Sequence, residues 1–436
     1  MTTALESRVT AEIARRRSEL VDLLAVLVGF DTRAPDPHFE PREEAALQAY
    51  LADRLGAVGL RVELWEPELT SLPANRYPIP DGYHFHGRPQ LLARRAGRGG
   101  GRSLLFNGHI DVVSAEPRDL WATDPFRADV RDGRLYGRGA CDMKGGVAAM
   151  VFATEVLSGL DVPLRGDLIV NTVTDEESTG AGALASVAHG VQAEGGIVPE
   201  PTSLTAWLGT RGSLMPEIVV EGRAGHAGFP HEQGAAGGPV NAVEKMQIVL
   251  AALQTLREEW RDRADPQHPY LHPGTIVPTS FESGQWIVSY PASATLRCHV
   301  QYLPGQADRK GSGNAVMREI EERVQSAARA DPWLVAHPPA FTWHGDVPPS
   351  FQHPETPISA TTLDAMGSLG LERAIASRTT WFDAATFSRA GTPTIGFGPG
   401  AIAAAHAVDE FVPLDELVCA AQVLAVAAMR FCGVEG

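Results

Sequence analysis

A chain of 436 residues, 44% of them apolar, exceeds the usual size of one hydrophobic core and holds enough material for two. Its formal charge of -16 argues against diffuse attraction to nucleic acid or an acidic membrane surface, since both need net positive patches. No stretch reaches the roughly 18 apolar residues of a membrane span. The first residues mix Glu and Arg with leucines at helical spacing and lack the apolar run of a secretion signal. Cys141, Cys298, Cys419 and Cys432 are scattered without metal-binding spacing, so the expectation is a cytoplasmic protein.

Taken in chain order, residues 5 to 28 and 42 to 55 carry apolar positions at three- and four-residue intervals and predict helices, while residues 60 to 65 alternate like a strand. The Pro- and aromatic-rich stretch 67 to 87 reads as an excursion. Strand-like runs follow at 104–106, 167–172, 196–198 and 394–397, with helical stretches at 143–157 and 181–188 between them. This alternation predicts an α/β fold with a mostly parallel sheet covered by helices on both faces.

From about Gly209 the texture changes to strand 214–221, helix 239–261, strands 275–282 and 294–303, helix 314–330 and strand 340–343. The order β-α-β-β-α-β is that of a ferredoxin-like sandwich. Residues 209–348 are therefore expected as an inserted α+β domain. The first domain, 1–208, would resume at 349–436 after a Pro-rich return linker at 346–357.

Several ligand-type residues fall at the carboxyl ends of the predicted parallel strands, where ligands gather in open α/β sheets. His109 and Asp111 follow Leu104-Leu-Phe-Asn-Gly, and their spacing of two puts both on one face. Asp142 lies in Gly137-Arg-Gly-Ala-Cys-Asp-Met-Lys-Gly-Gly, whose glycines permit a tight turn before a helix. Glu176 and Glu177 end one strand, Glu200 follows another in Val198-Pro-Glu-Pro, and His406 sits near the carboxyl terminus. Each alone would be unremarkable as a solvated acid or a structural histidine. Together they call for divalent cations, which offset repulsion among clustered carboxylates. Mixed nitrogen and oxygen ligation suits zinc, with cobalt or manganese as alternatives.

These motifs resemble those of the M20 metallopeptidases, a family that includes deacylases and exopeptidases, and the match runs along nearly the whole chain. The resemblance implies two metal ions per subunit, bridged by Asp142, with His109 and Glu200 completing one position and Glu177 and His406 the other. It makes Glu176 the general base and Asp111 the partner of the His109 ring. The chemistry agrees, because paired ions polarise a carbonyl and activate water, and a carboxylate not committed to metal can move the water proton to the departing nitrogen. A ligating histidine also needs its second nitrogen satisfied.

In the insert, His226 of Gly222-Arg-Ala-Gly-His-Ala-Gly resembles the family's lid histidine, which stabilises an oxyanion, commonly in the other subunit. Gly237-Gly-Pro-Val-Asn241 resembles the opening of a dimerisation helix, so a homodimer is expected. The family's substrate-binding Asn and Arg positions align with Val288 and Gln301. Gln301 cannot make the charged bidentate contact of an arginine. Arg297 either substitutes for it or forms a surface ion pair. Asp383, in Trp381-Phe-Asp-Ala-Ala, either orients a wall of the site or caps a turn. Trp207, Trp286 and Tyr290 either line an acyl pocket or pack the domain junction. The expected activity is hydrolysis of the amide bond of a small N-acylated amino acid or amine, with a small-peptide exopeptidase as the alternative and a non-catalytic scaffold as a remote one.

Overall fold

The computed structural model describes residues 2–435 apart from 35–39, 73–78, 229–236, 264–267, 269 and 379. Its larger sheet is parallel at the centre, where Leu168–Val173, Leu104–His109, Gly195–Val198 and Thr394–Gly396 lie side by side. Antiparallel strands flank them: Gln90–Arg95 and Arg61–Trp65 beyond Leu168–Val173, and Ala206–Thr210 and Ser350–Phe351 beyond Thr394–Gly396.

The apolar runs of the central strands explain their position. Leu104 and Phe106 enter the larger core with Leu168 and Val170, whereas Leu105 and Ile169 enter a smaller one on the opposite face. The two-residue period thus loads both faces of the sheet, and each buried Leu, Ile or Phe contributes about 1.5–3 kcal/mol. Helices Lys144–Gly159 and Leu414–Cys432 belong to the larger core. Helix Ala181–Ala188 contributes Ala183 to the smaller one. The approach of Lys144–Gly159 is close because residue 146 is glycine, where a Cβ would lie 1.8 Å from the Pro199 carbonyl oxygen. That contact fixes the start of the helix against the turn that carries Glu200.

A second sheet, wholly antiparallel, has the spatial order Thr275–Ser283, Ser293–Tyr302, Gly212–Glu221, Ala340–Val347. Its core residues Leu214, Ile218, Leu296 and Val300 pack with helices Ala242–Asp262 and Asn314–Ala328. In the first of these, Met246, Val249, Leu253, Leu256 and Trp260 recur every three or four residues and are buried. Asn241 starts that helix by accepting a hydrogen bond from the Val243 N–H at 3.0 Å. The element order and the placing of the first and third strands at the centre are those of a ferredoxin-like sandwich.

Some expectations change in detail. The helical stretch 5–28 is two helices, Ala4–Arg15 and Arg17–Gly29, meeting at Arg16. In the excursion, Tyr83 and Phe85 pack with Ala181 and Ala185, while 73–78 lie outside the described residues. The stretch 346–357 is not all linker: Asp346 and Val347 finish the strand Ala340–Val347, and Ser350–Phe351 pairs with Gly209 and Thr210 in the larger sheet. Pro348 and Pro349 separate these two pieces. A small third sheet, Asp129–Arg131, Arg134–Tyr136 and Phe411–Pro413, was not expected from the sequence. Among the described residues no helix is long and apolar enough to cross a membrane.

Candidate metal centre

His109 pairs with Val173 at the carboxyl end of two parallel strands. The residues after Val173 and Val198 therefore emerge on the same rim, which brings Glu176, Glu177 and Glu200 towards His109. Asp142 enters through the loop 137–142 before helix Lys144–Gly159. Gly139 makes that loop possible, since its φ is +80° and a Cβ would stand 2.4 Å from Val112.

The ligand-type atoms converge closely. His109 Nε2 lies 3.3 Å from Asp142 Oδ1 and 4.0 Å from Glu200 Oε1. His406 Nε2 lies 3.5 Å from Asp142 Oδ2 and 3.1 Å from Glu177. Asp142 thus stands between the two imidazoles, one carboxylate oxygen towards each. One ligand atom each from His109, Asp142 and Glu177 falls within a 4.8 Å group.

The electrostatics match a site built for cations. Burial pushes the Glu177 carboxyl up to about 7, with the Asp142 charge adding and the His406 hydrogen bond opposing. Burial likewise holds Glu176 well above the carboxylate range, the His109 charge opposing and those of Glu200, Asp383 and Glu177 adding. Hydrogen bonds to Asp142 and Glu177 raise His406 to about 10. His109 is pulled down by burial, but its hydrogen bond to Asp142 and the surrounding acids outweigh this and raise it. A cluster this rich in acids scavenges protons, and a divalent ion supplies the same positive charge without them. The donor set of two imidazoles and three carboxylates fits such ions.

Asp111 lies beside the His109 ring, nearest through its main chain. His109 Nδ1 lies 2.9 Å from the main-chain oxygen of Asp111 and 3.7 Å from its carboxylate. With a proton on Nδ1 donated to that carbonyl, Nε2 is left to face Asp142. The Asp111 carboxylate instead accepts the N–H groups of Glu176 and Glu177, at 3.2 and 3.1 Å. It ties the backbone of the expected base to that of the neighbouring ligand.

Sequence reasoning missed three buried charges behind the rim. Glu410 accepts hydrogen bonds from Arg138 Nη1, at 2.6 Å, and from the N–H groups of Gly139, Cys141 and Asp142. Lys144 Nζ donates to the Phe30 carbonyl at 2.8 Å, and burial lowers its pKa to about 7. Only the proximity of Glu410 to His406 in the chain could have drawn attention to it.

Asp383 is fully buried, its carboxylate oxygens have no hydrogen-bond partner among the described residues, and the charges of His109, Glu200 and Asp111 act on it. Other candidates stand apart. Arg297 is exposed and paired with Glu217 and Glu282, at 2.8 and 2.6 Å, which fits the surface ion pair of its two readings. Gln301 is buried in the second sheet and accepts a hydrogen bond from Arg211. His226 is exposed on a two-residue strand paired with Ser289–Tyr290. Trp207 is buried against Phe382 in the larger core, whereas Trp286 is 68% exposed, so the two do not line one pocket.

Comparison with known proteins agrees with this arrangement. The profile of peptidase family M20/M25/M40 matches residues 105–430, spanning every ligand named above. The chain belongs to peptidase family M20/M25/M40. It is thus a hydrolase of a metal-binding family. An N-formyl-4-amino-5-aminomethyl-2-methylpyrimidine deformylase from Halalkalibacterium halodurans is 31% identical over 427 residues, covering 94% of this chain and 93% of that protein. A succinyl-diaminopimelate desuccinylase from Burkholderia cenocepacia is 31% identical over 354 residues, covering 75% of this chain and 83% of that one. Among solved structures, an aminopeptidase from Bacillus cereus superposes with a TM-score of 0.75 at 18% identity, covering 96% of this chain and 99% of its own. This last likeness extends the M20 fold over almost the full chain.

Proposed function

We propose that this M20 hydrolase cleaves the amide bond of a small N-acylated amine or amino acid, releasing a carboxylate and an amine. The reading rests on Asp142 standing between His109 and His406, with Glu176 and Glu177 beside it. His109, Asp142 and Glu200 would hold one divalent ion, and Asp142, Glu177 and His406 a second, zinc suiting the mixed donors. When bound, such ions polarise the scissile carbonyl and lower the pKa of the attacking water. Glu176 accepts the proton of that water and delivers it to the departing nitrogen, so that the C–N bond breaks as the amine leaves neutral. Asp111 keeps Glu176 in register by holding its backbone.

His226 belongs to the inserted unit, expected at residues 209–348 and read as a lid on a catalytic unit made of 1–208 and 349–436. It is exposed on the short strand paired with Ser289–Tyr290, and we assign it to oxyanion stabilisation across a homodimer. The lid's edge strand Thr275–Ser283 leaves Val277 and Phe281 exposed, which supports an interface there. Four free cysteines, three of them buried, are in keeping with a reducing, cytoplasmic setting.

A relative that is 31% identical and covers 94% of the chain is a deformylase, so N-formylated aminomethylpyrimidines are the first substrates to test, followed by N-acetyl and N-succinyl amino acids and dipeptides. Metal-replete enzyme should turn over at least one N-acyl compound faster than any dipeptide and should contain two ions per chain. Cleavage of dipeptides alone would replace this reading with an exopeptidase. One ion per fully active chain would remove the paired-metal assignment.

A further inference from the structure

The bridging ligand Asp142 and the terminal ligand His406 lie far apart in the chain, and Glu410 joins the segments that carry them. Its main-chain oxygen accepts the Gly137 N–H at 2.9 Å. Its carboxylate, 1% exposed, takes the Arg138 guanidinium at 2.6 Å and the Gly139 N–H at 3.1 Å on Oε2. On Oε1 it takes the N–H groups of Cys141, at 2.8 Å, and Asp142, at 2.9 Å. Main-chain N–H groups converging in this way form an anion-binding concavity, here filled by a side chain of the protein itself. Next to it, Phe411–Pro413 pairs with Arg134–Tyr136, so the residues after Glu410 and those before Gly137 are zipped together.

We propose that Glu410 is a positioning residue that sets the loop 137–142, and with it the carboxylate of Asp142, at the spacing from His406 that metal binding requires. This rests on the assignment of Asp142 and His406 as ligands. A simpler role exists for the same carboxylate, which is to neutralise buried Arg138. The two differ in what a paired substitution restores. Glu410→Gln leaves the guanidinium buried without its counter-charge and turns an amide N–H₂ towards N–H donors. Arg138→Met with Glu410→Gln removes both charges and keeps an apolar side chain against Trp121, whose ring lies 5.0 Å from the guanidinium carbon.

The experiment titrates the metal-free full-length protein with Zn²⁺ alone by calorimetry and records thermal midpoints, for wild type, Glu410→Gln and the double variant. The positioning role predicts that the double variant regains thermal stability over Glu410→Gln while its Zn²⁺ affinity stays about 10–100-fold below wild type. Recovery of both, or wild-type affinity in Glu410→Gln, would overturn it. If neither variant folds, hydrogen exchange on metal-free wild type decides: the amides of Gly139, Cys141 and Asp142 should be strongly protected, and rapid exchange there would rule the clamp out. Failure of wild type itself to bind Zn²⁺ would instead count against the metal ligands on which the proposal depends.

Discussion

The carboxylates at the ends of the central strands and those of the second sheet's helical face obey opposite electrostatics. Burial lifts Asp175 and Glu177 to about 7, with neighbouring acids adding to the effect. In the unit of the second sheet, hydrogen bonding to Arg323 holds Glu259 below its ordinary value, and Asp331 is lowered against a burial penalty by its hydrogen bond to Lys245. The first group is crowded and costs the metal-free fold stability; the second is paired and supports it. Acids that work against the fold mark the place where chemistry is done, whereas paired acids mark where the fold is only being held together.

The sharpest way to break this contrast is to neutralise the expected base. Glu176→Gln should bind metal as wild type does and lose about 10²–10⁴-fold in the rate of the chemical step, measured in single-turnover experiments. Near-normal hydrolysis by the metal-replete variant would move the base elsewhere.

A smaller effect separates the metal-free and metal-loaded forms. Without metal, the folded chain keeps the Glu177 proton up to about 7, whereas an ordinary carboxyl loses it near 4.5. Folded His406 holds its proton to about 10 against an ordinary 6.5. In both windows the folded state binds more protons than the unfolded one, so stability falls as pH rises, from 4.5 upwards for Glu177 and from 6.5 for His406. Bound metal requires these ligands deprotonated and binds better as pH rises. Thermal midpoints with and without chelator should therefore diverge with increasing pH. Parallel curves would mean that the rim acids are not the groups that metal relieves.

The smallest effects belong to the unit of the second sheet. Asp331 pairs with Lys245 at 2.6 Å and also accepts the N–H groups of Trp333 and Leu334 at the start of helix Pro332–Ala336. Asp331→Ala should cost about 1–2 kcal/mol through loss of cap and pair. Because its folded pKa is depressed, the pair's contribution is present above the ordinary carboxylate value of 3.8 and lost as pH falls through the folded one. Arg297→Ala, which breaks an exposed pair, should change stability by no more than about 1 kcal/mol and leave turnover intact. A large loss of turnover in Arg297→Ala would return that residue to the substrate site.

What could be read from the sequence was whatever repeats over several residues. Leu104-Leu-Phe and Leu168-Ile-Val announce buried parallel strands because both faces of each are apolar, and His109 is then placed by its position at the strand's end. The helix Ala242–Asp262 is legible through its three- and four-residue period. The strands Asp129–Arg131, Arg134–Tyr136 and Phe411–Pro413 are three residues each, too short for any period to register. Glu410 looks like one more solvated acid, because its partner Arg138 lies 272 residues away. Arg297 was ambiguous for a related reason: its neighbour Glu217 becomes visible only once the two strands are paired in register.

The late position of His406 and Phe411–Pro413 in the chain also bears on when, during synthesis, the proposed metal positions would be complete. Parts of a chain fold as they leave the ribosome, the amino-terminal ones first. A nascent chain that has emerged as far as Ala405 already contains Leu104–His109, Leu168–Val173 and Thr394–Gly396, but neither the imidazole of His406 nor the carboxylate of Glu410 has been added to the loop of Asp142. On the ligand sets proposed above, the position of His109, Asp142 and Glu200 would have its side chains first, and only the position that needs His406 would wait for the end of translation.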